Sequence, residues 1–173
     1  MVYARAIGGG IPPFFPRHHP KRSDTLTIMT SQAKACRSTV VPSVRYRDAL
    51  AAIDWLIRAF GFEKQAVYLG PDNITVMHAQ LTFGNGMVML GSVSNGGEAG
   101  KLMVQPDEVG LRETKGVYLI VNDADALHAT AKAAGAEMVL DIRDMDYGGR
   151  AFTCRDLEGH LWSIGTYAPW APQ

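Results

Sequence analysis

Asp156-Leu157-Glu158-Gly159-His160-Leu161-Trp162-Ser163 reads as the turn of a terminal hairpin, and it closes the second of two tracts that repeat one order within residues 38–168. Each tract runs strand, helix, then a set of strands. The first opens with Thr39-Val40-Val41-Pro42-Ser43-Val44-Arg45-Tyr46, enters a helix after Asp48 and leaves it at Gly61-Phe62-Glu63. The second opens with Gly116-Val117-Tyr118-Leu119-Ile120-Val121, enters a helix near Asp123 and leaves it at Gly135-Ala136-Glu137. A repeat of this size predicts an α+β domain of two βαβββ modules whose function lies in the cleft they share.

Leu50, Ile53, Leu56, Ile57 and Phe60 recur at three- and four-residue spacing, which predicts an amphipathic helix laid on a sheet. Strands are expected at 63–68, 74–83 and 87–91, with Gly84-Asn85-Gly86 as a tight hairpin turn. In the second tract an alanine-rich helix over 124–134 precedes strands at 137–142, 150–155 and 161–166. The organisation is thus a leader at 1–36 and a single domain at 37–170. That domain divides into module 1 (38–92), a linker (93–114) that could cover the cleft, and module 2 (115–168).

With 173 residues the chain buries one good core, and no apolar run reaches the roughly 18 residues of a membrane helix. A cytoplasmic protein with no membrane partner is expected. Cys36 and Cys154 are too few for a disulfide framework or a zinc site. Residues 1–37 hold six basic side chains against Asp24 alone, so the remainder carries a surplus of five acids. That body offers no phosphate-neutralising face, and no nucleic-acid partner is expected. The leader is rich in Gly and Pro and reads as disordered or loosely packed; its His18-His19 pair lacks further ligands, and Met29 is an alternative start.

Alternate side chains of a strand point to opposite faces. Val41, Ser43 and Arg45 share one face of the first strand, and His78, Gln80 and Thr82 the polar face of the third, opposite Met77, Ala79, Leu81 and Phe83. Trp162 and Ile164 oppose Leu161, Ser163 and Gly165. The semi-polar face therefore presents Ser43, Arg45, His78, Gln80, Thr82, Tyr118 and Ser163, a mixture suited to a planar or polyfunctional small molecule. Tyr147 and Arg150 flank the paired Gly148-Gly149 and are positioned to close over such a ligand. On the same residues a plain solvated sheet face remains open as the reading. His128 and His160 are expected in solvent, and Cys154 as a small buried apolar group.

The strand ending in Arg45-Tyr46-Arg47-Asp48, the helix closing on Ala59-Phe60-Gly61-Phe62 and the Asp156 to Trp162 turn resemble the vicinal oxygen chelate superfamily of glyoxalases, bleomycin-resistance proteins and extradiol dioxygenases. The turn is similar to the family's Asp-Pro-Asp/Glu-Gly-Asn-x-Trp/Ile signature, with Leu157 where proline is common. The resemblance implies sheets curled into a mixed cup with helices outside. In the metal enzymes of the family one ligand comes from each of four strands; the matching positions here are Val41, Gln80, Gly116 and Ser163, and only Gln80 is a good donor. The resemblance therefore implies a bleomycin-resistance-like binder of a drug or aromatic metabolite, with no metal and no other cofactor. The alternatives are a glyoxalase-type lyase or dioxygenase with an atypical metal site, and a structural module with a closed cup. Homodimers are common in the family, and the apolar strand at 87–90 could join such an interface.

Overall fold

The structure, a computed structural model, describes residues 39–170. The leader, its His18-His19 pair, Cys36 and the Met29 start lie outside the described residues. Module 1 comprises β1 (Ser43–Tyr46), α1 (Ala49–Phe60), β2 (Glu63–Leu69), β3 (Val76–Phe83) and β4 (Gly86–Ser92). Module 2 comprises β5 (Val117–Ile120), α2 (Ala124–Ala133), β6 (Glu137–Asp144), β7 (Arg150–Arg155) and β8 (Leu161–Gly165). The sheets have the orders β1-β4-β3-β2 and β5-β8-β7-β6, with β1 parallel to β4, β5 parallel to β8 and every other pairing antiparallel. One strand-helix-strand pattern is thus folded twice.

Local chemistry sets these elements. The Asp48 carboxylate caps α1 by accepting from Ala51 N, and Asp123 does the same for α2 from Ala126 N. Gly61 ends α1 at φ 79°, where a side chain would be strained. The first strand is shorter than expected because Pro42 has no N–H to give the ladder. Its carbonyl still accepts from Met89 N, and regular pairing begins at Ser43. The β2–β3 register skips Met77, so this residue turns outward and Val76 takes the buried place.

Beneath the sheets the apolar sides share one core. Trp55 Nε1 donates to Ala134 O at 2.8 Å, tying α1 to the end of α2, and the Phe60 and Phe62 rings meet Trp162 at 5.4 and 5.9 Å. Of the twelve residues of α1, seven are buried. The linker is more structured than a plain loop: it holds a helical turn at Gly97–Gly100 and a 3₁₀ turn at Pro106–Val109. No helix among the described residues is long and apolar enough to cross a membrane.

Candidate functional site

The polar sheet faces hold the residues that alternation predicts, but a single chain does not gather them into one cavity. On the first sheet Gln80 Nε2 lies 3.1 Å from His78 Nε2, His78 stacks on Tyr68, and Thr82 Oγ1 donates to Glu63 O at 3.4 Å. On the second, Ser163 Oγ is 3.2 Å from Thr153 Oγ1. Both faces remain open, with Tyr68, Met77, Tyr118, Ile120 and Leu140 exposed.

Two cavities take in four of the other predicted residues. Tyr118 and Tyr147 line one of about 430 Å³ together with Tyr167 and Pro169. Glycines make it: a Cβ on Gly165 would lie 2.5 Å from Tyr118 Oη and 2.9 Å from Arg150 O, so the bare backbone leaves room for the phenol. Gly149, at φ 79°, approaches Thr166, whose hydroxyl accepts from Arg150 N at 2.9 Å. This brings Tyr147 and Tyr167 edge to face at 5.4 Å. Partial burial first, and the neighbouring Tyr147 second, push the Tyr118 phenol above its ordinary value, so it stays a neutral hydroxyl. Tyr167 and Pro169 were legible only as aromatic and rigid residues just beyond the last strand.

Ser43 and Arg45 line the second cavity, at the junction of β1, the linker, β5 and β8. Arg150, expected at the cleft rim, is instead held by carboxylates. It makes two bonds to Asp125 of α2 at 2.8 Å and one to Asp144 at 2.9 Å, and these raise its already high basicity. An arginine so engaged anchors the β6–β7 loop rather than a ligand.

The hairpin turn ties the halves together. Asp156 Oδ2 accepts from Tyr46 Oη at 2.6 Å and Trp162 Nε1 at 3.0 Å, while Oδ1 accepts from the backbone N–H of Glu158 and His160, each at 3.0 Å. Glu158 accepts from the backbone N–H of Arg47 and Asp48 at 2.7 Å, and Arg47 pairs with Asp107 and Glu108 of the linker. Burial first, then the Asp156 charge, push the Tyr46 phenol well above its usual range.

The two histidines expected in solvent are both largely covered. His128 packs edge to face on Phe152 at 5.1 Å, and its Nε2 lies 2.7 Å from Asp141 Oδ1 without hydrogen-bond alignment. His160 Nε2 is 2.9 Å from Arg45 O, which can only accept, and its Nδ1 is 2.7 Å from Glu113 Oε1. With Nε2 donating to that carbonyl and a carboxylate beside Nδ1, the geometry favours a proton on both ring nitrogens. Burial pulls its pKa down, but the Glu113 bond and the Asp156 charge outweigh this, and the net shift is upward. Cys154 is buried as expected, its thiol pushed up to about 12 by burial and by Asp156, and it is no nucleophile.

The donor set does not fit a divalent ion. Val41 and Gly116 have no side-chain donor, the Gln80 amide meets His78, and the Ser163 hydroxyl meets Thr153. Among the described residues no three His, Cys, Asp or Glu side chains converge.

Two capped helices, two four-stranded mixed sheets of equivalent order, β1-β4-β3-β2 and β5-β8-β7-β6, and a hairpin clamp between them define a paired βαβββ protein. A family profile described as "Glyoxalase/Bleomycin resistance protein/Dioxygenase superfamily" matches residues 39–164, and the chain belongs to that superfamily. Among solved structures it is similar to TioX from Micromonospora sp. ML1, at 33% identity over 76% of this chain and 99% of that one, with a TM-score of 0.57. A superfamily member from Sphaerobacter thermophilus DSM 20745 is 22% identical over 74% of this chain and 97% of its own, at 0.53. The fosfomycin resistance protein FosX from Mesorhizobium loti is 16% identical over 76% and 93%, also at 0.53. Comparison with curated proteins gives no significant match.

Proposed function

We propose that this chain is a metal-free cytoplasmic binder of a flat aromatic small molecule, such as a drug or aromatic metabolite, and that it works as a homodimer. The observation that carries the reading is the cavity walled by Tyr118, Tyr147 and Tyr167, three rigid aromatic faces on an otherwise open sheet. The open polar faces support the dimer: a second copy laid against them covers their exposed apolar residues and brings the His78, Gln80 and Thr82 face of one chain over the Ser163 face of the other. In that assembly these four residues supply polar contacts around a ligand stacked on the tyrosines, while Ser43 and Arg45 line the separate junction cavity. The absence of donors at Val41 and Gly116 holds whichever copy supplies each position, and it disfavours the glyoxalase-type lyase or dioxygenase.

Native mass spectrometry of the full chain is expected to show twice the 18.8 kDa mass without a stoichiometric divalent ion. One ion per chain would revive the metal enzyme, and a monomer would remove the shared site. The neutral fluorophore 1-aminoanthracene is the ligand probe. Tyr147→Ala is expected to weaken it by about ten-fold, the worth of one stacking face. The probe should be recovered unaltered after long incubation. An unchanged affinity in that variant, or a modified probe, would overturn the reading.

A further inference from the structure

β1 and β5 are edge strands of their sheets, and the linker runs between them. With the start of β8 they wall the junction cavity of about 1260 Å³. Arg45, Arg112, Lys115 and His160 line this cavity with Glu113 as the one acid among its lining residues, and Glu113 is already engaged by His160. The body as a whole is acidic, with a surplus of five acids beyond residue 37, so this concentration of positive charge runs against its surroundings.

Arg45 is the least satisfied of these groups. Its Nη1 donates to Ser92 O over 3.3 Å, and its Nε is shut off from solvent with no partner. No carboxylate pairs with it among the described residues. The guanidinium is placed by Gly91, its pairing partner on β4, where a Cβ would lie 2.7 Å from Nη1. A cation fixed in this way and partly desolvated without a counter-charge is destabilising, and an incoming anion relieves that cost. Around it the walls are mainly aliphatic, with Val41, Val44, Leu102, Val104, Val117 and Leu161 among them.

We propose that the junction cavity binds an aliphatic organic acid, its carboxylate on Arg45 and its chain along the linker. The tyrosine-walled cavity shares none of these lining residues, so either assignment can fail without the other. The experiment is calorimetric titration of the full chain with octanoate and with octan-1-ol, which has the same chain length and no charge. Octanoate is expected to bind at least about ten-fold more tightly than octanol. Arg45→Met should erase that difference. Val104→Glu, at an exposed wall position, should weaken octanoate by a similar factor without disturbing a buried group, and it decides the matter if the Arg45 variant misfolds. Tyr147→Ala should leave octanoate binding as it is. Equal binding of the acid and the alcohol, parental octanoate affinity in the Arg45 and Val104 variants, or no octanoate binding by the parent would overturn the proposal.

Discussion

Asp156→Ala is expected to lower stability by about 3–5 kcal/mol, a large share of what a domain of this size possesses. The carboxylate is buried and accepts four hydrogen bonds, from Tyr46, from Trp162 and from two backbone N–H groups of its own turn. Removing it strands the Tyr46 hydroxyl and the Trp162 indole N–H in the core, where an unpaired donor costs about 1–3 kcal/mol each. It also frees the turn from which Glu158 reaches Arg47 and Asp48, so the effect is not confined to one module. Tyr46→Phe removes one bond while leaving the carboxylate its other donors, and should cost about 1–2 kcal/mol. Urea denaturation followed by tryptophan fluorescence measures both. An alanine variant within about 1 kcal/mol of the parent would mean that the turn is not the tie between the modules.

Much of the fold was legible because its signals are local. Asp48, Gly61 and Asp123 act within one turn of helix, and the alternation along β3 and β8 needs only the two-residue period of a strand. Where the reading slipped, a partner distant in sequence decided. Met77 faces outward because β2 pairs past it, and His160 is covered because Glu113 and the Arg45 carbonyl close on it from two other segments. Arg150 looked free to meet a ligand because nothing in its neighbourhood announced Asp125, twenty-five residues earlier on another element. The candidate site was harder still. Faces follow from alternation, but the cavities follow from where Gly165, Gly149 and Gly91 let side chains lie, and from Tyr167, beyond the last strand.

His160→Gln is expected to cost about 2 kcal/mol at pH 6, where hydrogen bonds to a charged ring are in force, and markedly less at pH 9. Glutamine has one amide group and cannot donate in two opposed directions to Glu113 and to the Arg45 carbonyl. The sign of the pH effect follows from the direction of the shift. The folded protein holds the ring's pKa above the ordinary 6.5, so the proton binds more tightly to the native state than to the unfolded chain. The resulting stability is complete below the unfolded value and is lost as pH rises through the folded one. Around the ring stand Glu113 of the linker, Asp156 and Glu158 of the turn, and Tyr46 on β1; Tyr46 and Cys154 are both held above their ordinary values and stay neutral up to pH 9. The parent should therefore lose stability from pH 6 to 9 while His160→Gln stays nearly flat, and Glu113→Gln should flatten the profile as well by removing the acid that favours the proton. A parent profile as flat as that of His160→Gln would show that the ring's pKa is the same in the folded and unfolded chain. In that case the linker would be held by its other contacts, the Arg47 pairs with Asp107 and Glu108 among them, and His160 would only fill space under it.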